Sequence, residues 1–225
     1  MRYFWKKDKK DYPDFWKEYE SYFDKKNERY TTISTTRFVA LDTETTGFDI
    51  KNDRILSIGA VAIHGLTIKV SDQLECYVEQ ELFNEKTVAI HGIRKNDGTA
   101  KISEYESLQQ LLAYLKTSTI IAHHAAFDKG MIQEALTRNG LGKLKNPFLD
   151  TGVLFKRAKH EVYASQIREK HYTLDELGLE LKLPMSDRHT ASGDAFITAL
   201  AFLKILSRLK LKEEESTKYL FKSFF

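Results

Sequence analysis

The sequence predicts an α/β domain with a mixed central sheet flanked by helices, preceded by an aromatic helical extension. Two observations carry the domain. Three strand-like segments follow one another between residues 37 and 78, and from residue 107 onward helical and strand patterns alternate. A third observation sets the extension apart: residues 1 to 30 hold ten of the 27 aromatic residues, including both tryptophans, Trp5 and Trp16. A chain of 225 residues corresponds to one domain of ordinary size with additional ends. The chain is expected to divide into an extension (1–35), a main domain (36–210) and a tail (211–225).

In the extension, Pro13 suits the first turn of a helix, where a missing N–H costs little. Phe15, Trp16, Tyr19, Tyr22 and Phe23 then follow at helical spacing. An exposed stripe of this size is costly, so it packs on the main domain or docks a partner. RFVALDTET (37–45), RILSIGAVAIHG (54–65) and TIKVSDQLECYV (67–78) read as three strands of a β-meander, with Gly65 as the turn signal between the last two. SLQQLLAYLK (107–116) has helical periodicity, and STIIAHH (118–124) reads as a short buried strand. FDKGMIQEALTRNG (127–140) is a helix closed by Gly140. FLDTGVLFKRAK (148–159), TLDELGLEL (173–181) and a strong final helix, SGDAFITALAFLKILSRLK (192–210), complete the domain.

Hydrophobic residues make up 42% of the chain and charged residues 30%, enough for a core inside a polar surface. No segment approaches the roughly 20 apolar residues that span a bilayer, and the opening residues lack the apolar run of a secretory leader. The single cysteine, Cys76, excludes an intramolecular disulfide framework, and a reducing cytoplasm is the expected location. Net charge is +3, from 35 basic against 32 acidic residues, which neither demands nor excludes a nucleic-acid partner.

The chemistry begins where the first strand ends. Asp42 and Glu44, two apart on a strand, point to one face, and two like charges there repel unless a cation lies between them. Hard oxygen ligands suit Mg²⁺ or Mn²⁺. Taken alone, the pair also reads as two solvated carboxylates. Further along, HHAAFDKG places Asp128 in the first turn of a helix, and DRHTASGDAF sets His189 five residues before Asp194. Four carboxylates in one pocket need about two divalent cations to offset their charge. A histidine beside them has the right pKa to take a proton from an attacking water. This is equipment for hydrolysing a phosphodiester.

The motifs FVALDTETTGFD with RILSIGAVAI, IIAHHAAFDKGMIQEAL, and LPMSDRHTASGDAFITALAFLKIL stand in the order found in the DEDDh (DnaQ-like) 3′–5′ exonucleases. The chain resembles that family, and the epsilon exonuclease of DNA polymerase III within it, over roughly residues 37 to 207. AIHGIRKNDG (89–98) resembles the family's His-Gly-Ile segment. The resemblance implies an RNase H-like fold and the catalytic residues Asp42, Glu44, Asp128, His189 and Asp194. The four carboxylates would hold two Mg²⁺ or Mn²⁺ ions, with Asp42 bridging, and His189 would be the general base. It implies release of nucleoside 5′-monophosphates from the 3′ end of DNA, in replication proofreading or repair. An RNA substrate and a non-catalytic end-binding module are the alternatives.

For the substrate, the Thr45–Thr46–Gly47 turn is expected to offer backbone N–H groups to the terminal nucleotide. Phe48 and the segment from His91 to Ile93 are expected to stack on or wedge beside its base; edge packing competes for Phe48, and local hydrogen bonding for His91. Arg157, Lys159, Arg168, Lys170 and Arg188 are candidates for a substrate groove. His124 departs from the family pattern, which has asparagine there. A zinc site at His123 and His124 is set aside because adjacent strand residues point apart, and NGLGK (139–143) lacks the residues of a phosphate-binding loop. KKDKK (6–10) reads as a solvated charge run. The tail TKYLFKSFF (217–225) either docks a replication protein such as a sliding clamp or packs on the extension.

Overall fold

The computed structural model describes residues 11–24, 30–95, 97–159 and 171–222. Trp5, residues 6–10, Arg168, Lys170 and residues 223–225 lie outside them. Thirteen elements are named here in chain order: α1 (Asp14–Ser21), β1 (Arg37–Thr45), β2 (Ile55–His64), β3 (Thr67–Val78), α2 (Glu85–His91), β4 (Lys101–Ile102), α3 (Glu104–Leu115), β5 (Thr119–Ala122), α4 (Ala125–Arg138), β6 (Phe148–Asp150), α5 (Thr151–Ala158), α6 (Leu174–Leu181) and α7 (Ala191–Arg208). The six strands form one mixed sheet in the order β4-β3-β2-β1-β5-β6. The β1–β2–β3 meander is antiparallel, whereas β5 runs parallel to β1 and β6 parallel to β5.

Strand alternation sorts the core into two layers. Val39 and Leu41 of β1 pack on the side that α3 and α4 cover with Leu108, Leu112, Met131, Ile132 and Leu136. Phe38 and Ala40 face the other side, filled by Leu154, Phe155, Ile197, Phe202 and Ile205 of α5 and α7. This parity carries on to the strand's end. Asp42 and Glu44 share the face of Phe38 and Ala40, toward α7, while Thr43 looks toward α4.

The sequence expectation of three meander strands holds at nearly the same bounds. The helix expected at 107 starts earlier, at Glu104, because Ser103 and Glu106 form a capping box. The segment 148–159 divides at Asp150, whose carboxylate caps α5 by accepting from the Val153 N–H (3.1 Å). After α4, the Leu141 N–H closes back on the Leu136 carbonyl (2.8 Å), so NGLGK is a helix terminus.

The aromatic stripe of α1 is core. Trp16 and Tyr19 are fully buried in the cluster that α3 and α4 share, and Phe15 meets Tyr105 edge-on at 5.3 Å. The Tyr19 hydroxyl donates to Asn146 and accepts from the Lys145 N–H, both at 2.7 Å. Asn146 in turn donates to the Lys116 and Ser118 carbonyls. That face of α1 is therefore spent on this chain and is closed to a partner. Trp16→Ala is expected to cost about 3–5 kcal/mol, measured as a lowered denaturation midpoint.

The tail also folds back. Thr217 donates from its N–H to the Thr31 carbonyl (2.8 Å), Leu220 is buried, and the Phe221 ring lies 5.9 Å from Tyr30. Packing on the extension is thus the observed outcome for residues 217–222. Leu220, the leucine a clamp peptide would present, is inside the core. No helix among the described residues is long and apolar enough to cross a membrane.

Candidate active site

β1 outruns its parallel neighbour. Its pairing with β5 ends at Ala40, while its pairing with β2 continues to Thr45. The overhanging residues form the floor of a cleft of about 500 Å³ at the carboxyl end of the parallel strands, where open α/β sheets bind ligands. Asp42, Glu44, Asp128, His189 and Asp194 all line it, although 152 positions separate the first from the last.

Two glycines make the convergence possible. Gly59 of β2 pairs with Asp42 across the ladder and shares its face. A Cβ on Gly59 would lie 2.1 Å from the Ala191 carbonyl carbon and 2.2 Å from the Ser192 nitrogen. The first turn of α7 thus rests on bare backbone, which brings Asp194 down to Asp42. A Cβ on Gly193 would meet the Asp187 carbonyl, so the loop carrying Arg188 and His189 folds tightly over the same turn. Thr190 caps α7 by accepting from the Gly193 N–H (3.1 Å).

Asp42, Glu44 and Asp194 each place a carboxylate oxygen within 4.8 Å of the others. Asp128, in the first turn of α4, comes from the opposite layer and is held by the Thr43 hydroxyl, which donates to it at 2.8 Å. Burial raises all four carboxyls. Asp42 is held well above the ordinary carboxylate range by burial and then by Asp128, Asp194 and Glu44. Burial and the charge of Asp194 push Glu44 up to about 7, and burial pushes Asp128 up to about 7. Asp194 is raised by burial against the opposing Arg188 guanidinium.

The donor set fits a hard divalent cation: all oxygen, clustered, and short of positive partners. One atom makes the point: Asp194 Oδ1 is buried and without a hydrogen-bond partner, a costly arrangement unless something binds there. Asp42, Glu44 and Asp194 would hold one ion, with Asp128 beside it for a second.

The expected substrate residues divide. Thr45, Phe48 and His91 line the cleft, and Phe48 is 80% exposed. Ile90 and Phe127 also line it, and neither was marked by the sequence reading. Thr46 and Gly47 face away. The Thr46 N–H is taken by the Arg54 carbonyl (2.9 Å) and its hydroxyl donates to Asp53 (2.7 Å), while Gly47 abuts the same carboxylate. The N–H of Thr46 is therefore not available to a nucleotide, which corrects that expectation. His91 accepts the Ile93 N–H at Nδ1 (3.1 Å).

Of the expected groove cations, Arg188 lines the cleft. Arg157 instead donates to the Tyr219 and Leu220 carbonyls of the tail, and Lys159 pairs with Glu180 and lies over the Tyr172 ring. His124 has a left-handed backbone, φ 56°, at the start of α4 and makes no side-chain cap. The Asp150 carboxylate takes the Ala125 N–H there instead (2.8 Å). β5 ends at Ala122, and the His123 and His124 rings lie 4.4 Å apart, not on opposite faces. Zinc is excluded at His123 for a different reason. Its two ring nitrogens meet the Thr151 hydroxyl (2.9 Å) and the Tyr172 carbonyl (2.8 Å).

Comparison with known proteins agrees with this geometry. A family model described as Exonuclease matches residues 39–202. The chain is 32% identical over 180 residues to the PolC-type DNA polymerase III of Thermotoga maritima, covering 80% of this chain and 12% of that protein. The Clostridium perfringens PolC-type enzyme is 32% identical over 179 residues, covering 79% of this chain and again 12% of its own length. The chain therefore spans about an eighth of these polymerases. Among solved structures, E. coli exonuclease I in complex with a dT13 oligonucleotide superposes with a TM-score of 0.66 at 17% identity, covering 78% of this chain and 42% of that one. Cell-death related nuclease 4 superposes with a TM-score of 0.59 at 17% identity, covering 77% and 64%. The fold is that of exonuclease I, RNase H-like as the motifs implied, and the chain belongs to the exonuclease family, of the DEDD 3′–5′ type.

Proposed function

We propose that this chain hydrolyses DNA from the 3′ end, releasing nucleoside 5′-monophosphates, in replication proofreading or repair. The observation that carries the reading is the convergence of Asp42, Glu44 and Asp194 on one another, with Asp128 beside them. Two divalent cations, Mg²⁺ or Mn²⁺, would supply a water-derived nucleophile and charge for the departing 3′ oxygen. The chain's own residues do the rest. Asp42, whose carboxylate feels the charges of Asp128, Asp194 and Glu44, would be a ligand shared by both ions. His189, on the loop above α7, takes the proton of the attacking water as general base. Phe48, exposed at the rim with the Phe127 ring 6.0 Å away, stacks on the terminal base, and Thr45 and His91 border the sugar. The DNA-bound exonuclease I and the polymerase relatives support a single-stranded DNA end and a replication setting.

The decisive experiment compares oligonucleotides blocked at the 3′ or the 5′ end, as DNA and as RNA, with Mg²⁺ or Mn²⁺ present. Digestion of 5′-blocked DNA, arrested by a 3′ block and by chelation, is expected. Faster digestion of the matched RNA would replace the substrate class, and tight end-binding without nucleotide release would replace the reading with a non-catalytic module. His189→Gln is expected to lower kcat by about 10²–10⁴-fold while leaving Mn²⁺ binding close to wild type.

A further inference from the structure

The geometry points to Arg188 as a positioning residue that sets the Asp194 carboxylate and the His189 loop for the proposed metal centre. Asp194 divides its two oxygens between different partners. Oδ2 accepts from Arg188 Nη1, while Oδ1 has no hydrogen-bond partner and is the free oxygen of a carboxylate gathered with Asp42 and Glu44. A planar guanidinium on one oxygen fixes the carboxylate plane, and with it the direction in which the other points.

Arg188 is itself fixed from behind. Its Nε and Nη2 donate to Asp175 Oδ1 and Oδ2, at 2.7 and 3.1 Å. Asp175 belongs to the first turn of α6, which the Thr173–Glu176 capping box anchors. A chain of paired groups therefore runs from α6 through Asp175 and Arg188 to Asp194 on α7. Its middle member is 17% exposed, too enclosed to be an ordinary surface cation. Arg188 also immediately precedes His189, whose backbone is held in the left-handed region at φ 67°. Clamping the arginine between two helices fixes the residue that follows it, so one side chain orients both a ligand and the base. Outer partners of this kind decide metal affinity even though they touch no metal.

Simple electrostatics predicts the opposite of positioning, which makes the inference testable. Removing a positive charge beside an acidic cluster should tighten cation binding, whereas losing the clamp should weaken it. The test is Mn²⁺ titration of the full chain without nucleic acid, followed by electron paramagnetic resonance, on wild type, Arg188→Gln, Arg188→Lys and Asp175→Asn. Arg188→Gln is expected to weaken Mn²⁺ binding about 10–100-fold. Arg188→Lys, which keeps the charge and loses the fork, is expected to fall with it. Asp175→Asn, which leaves Arg188 in place but loosens it, is expected to weaken binding several-fold. Excess Mn²⁺ should restore part of the turnover in each.

Mn²⁺ binding to Arg188→Gln as tight as wild type, or tighter, would overturn the inference and leave the metal centre standing. The inference rests on that centre. Wild type taking up no more Mn²⁺ than Asp42→Asn would overturn both.

Discussion

Asp42→Asn is expected to abolish nucleotide release, by more than about 10³-fold, while making the chelated protein more stable. The first effect follows because Asp42 is the carboxylate that both Asp128 and Asp194 act on. An amide there keeps the shape but loses the charge that a hard cation requires. The second follows from the same crowding. Asp42 is held far above its ordinary range by burial and by three neighbouring acids, so in chelator its ionised form is a burden on the fold. Removing it should raise Tm by roughly 2–4 °C, the equivalent of about 1 kcal/mol in a chain this long. Activity and stability thus move in opposite directions, which a merely structural aspartate would not do.

The pH dependence has a definite sign. Glu44 and Asp128 are pushed up to about 7 in the folded chain, against unfolded values near 4. Between those limits the folded state binds more protons than the unfolded state, so stability falls as pH rises. In chelator, the Tm of wild type is expected to be higher near pH 5 than near pH 8. The fall should be smaller in Asp42→Asn, and millimolar Mg²⁺ should offset it at the alkaline end. A Tm that rises through this window in chelator would contradict the assignment of these shifts.

Gly59→Ala is the second large expectation. The added methyl would sit 2.1 Å from the Ala191 carbonyl carbon, so α7 must move off the sheet by more than an ångström. Overpacking of this kind costs about 1–3 kcal/mol, and a displacement of about 1 Å at reacting groups costs about 10²-fold in rate. Because α7 carries Asp194, Mn²⁺ affinity should fall together with kcat. Wild-type kcat/KM and Tm in Gly59→Ala would show that the close approach of α7 to β2 does not set the site.

Much of this was legible before the structure. The parity of β1 put Asp42 and Glu44 on one face, because a strand's period of two needs no tertiary information. That Asp128 and Asp194 join them is a long-range fact, and spacing alone does not contain it; the motif order supplied it. The stripe of α1 was visible as a pattern, but what covered it was not, since amphipathicity states only that a face must be buried. Arg188 read as one basic residue among five, because its partners lie 13 positions before it and six after, on separate helices. Gly59 passed unmarked within an apolar strand, its importance residing in the helix that lands on it. The two-residue β4 is held by its pairing with β3 and has no pattern of its own to read.

The most direct test of the account is anomalous diffraction from crystals soaked with Mn²⁺ and a nucleoside 5′-monophosphate. Two peaks about 3.5–4 Å apart are predicted, one of them within coordination distance of Asp42, Glu44 and Asp194 and the other on the Asp128 side of Asp42. Full occupancy elsewhere on the chain, with no peak within about 3 Å of the Asp42 carboxylate, would contradict it.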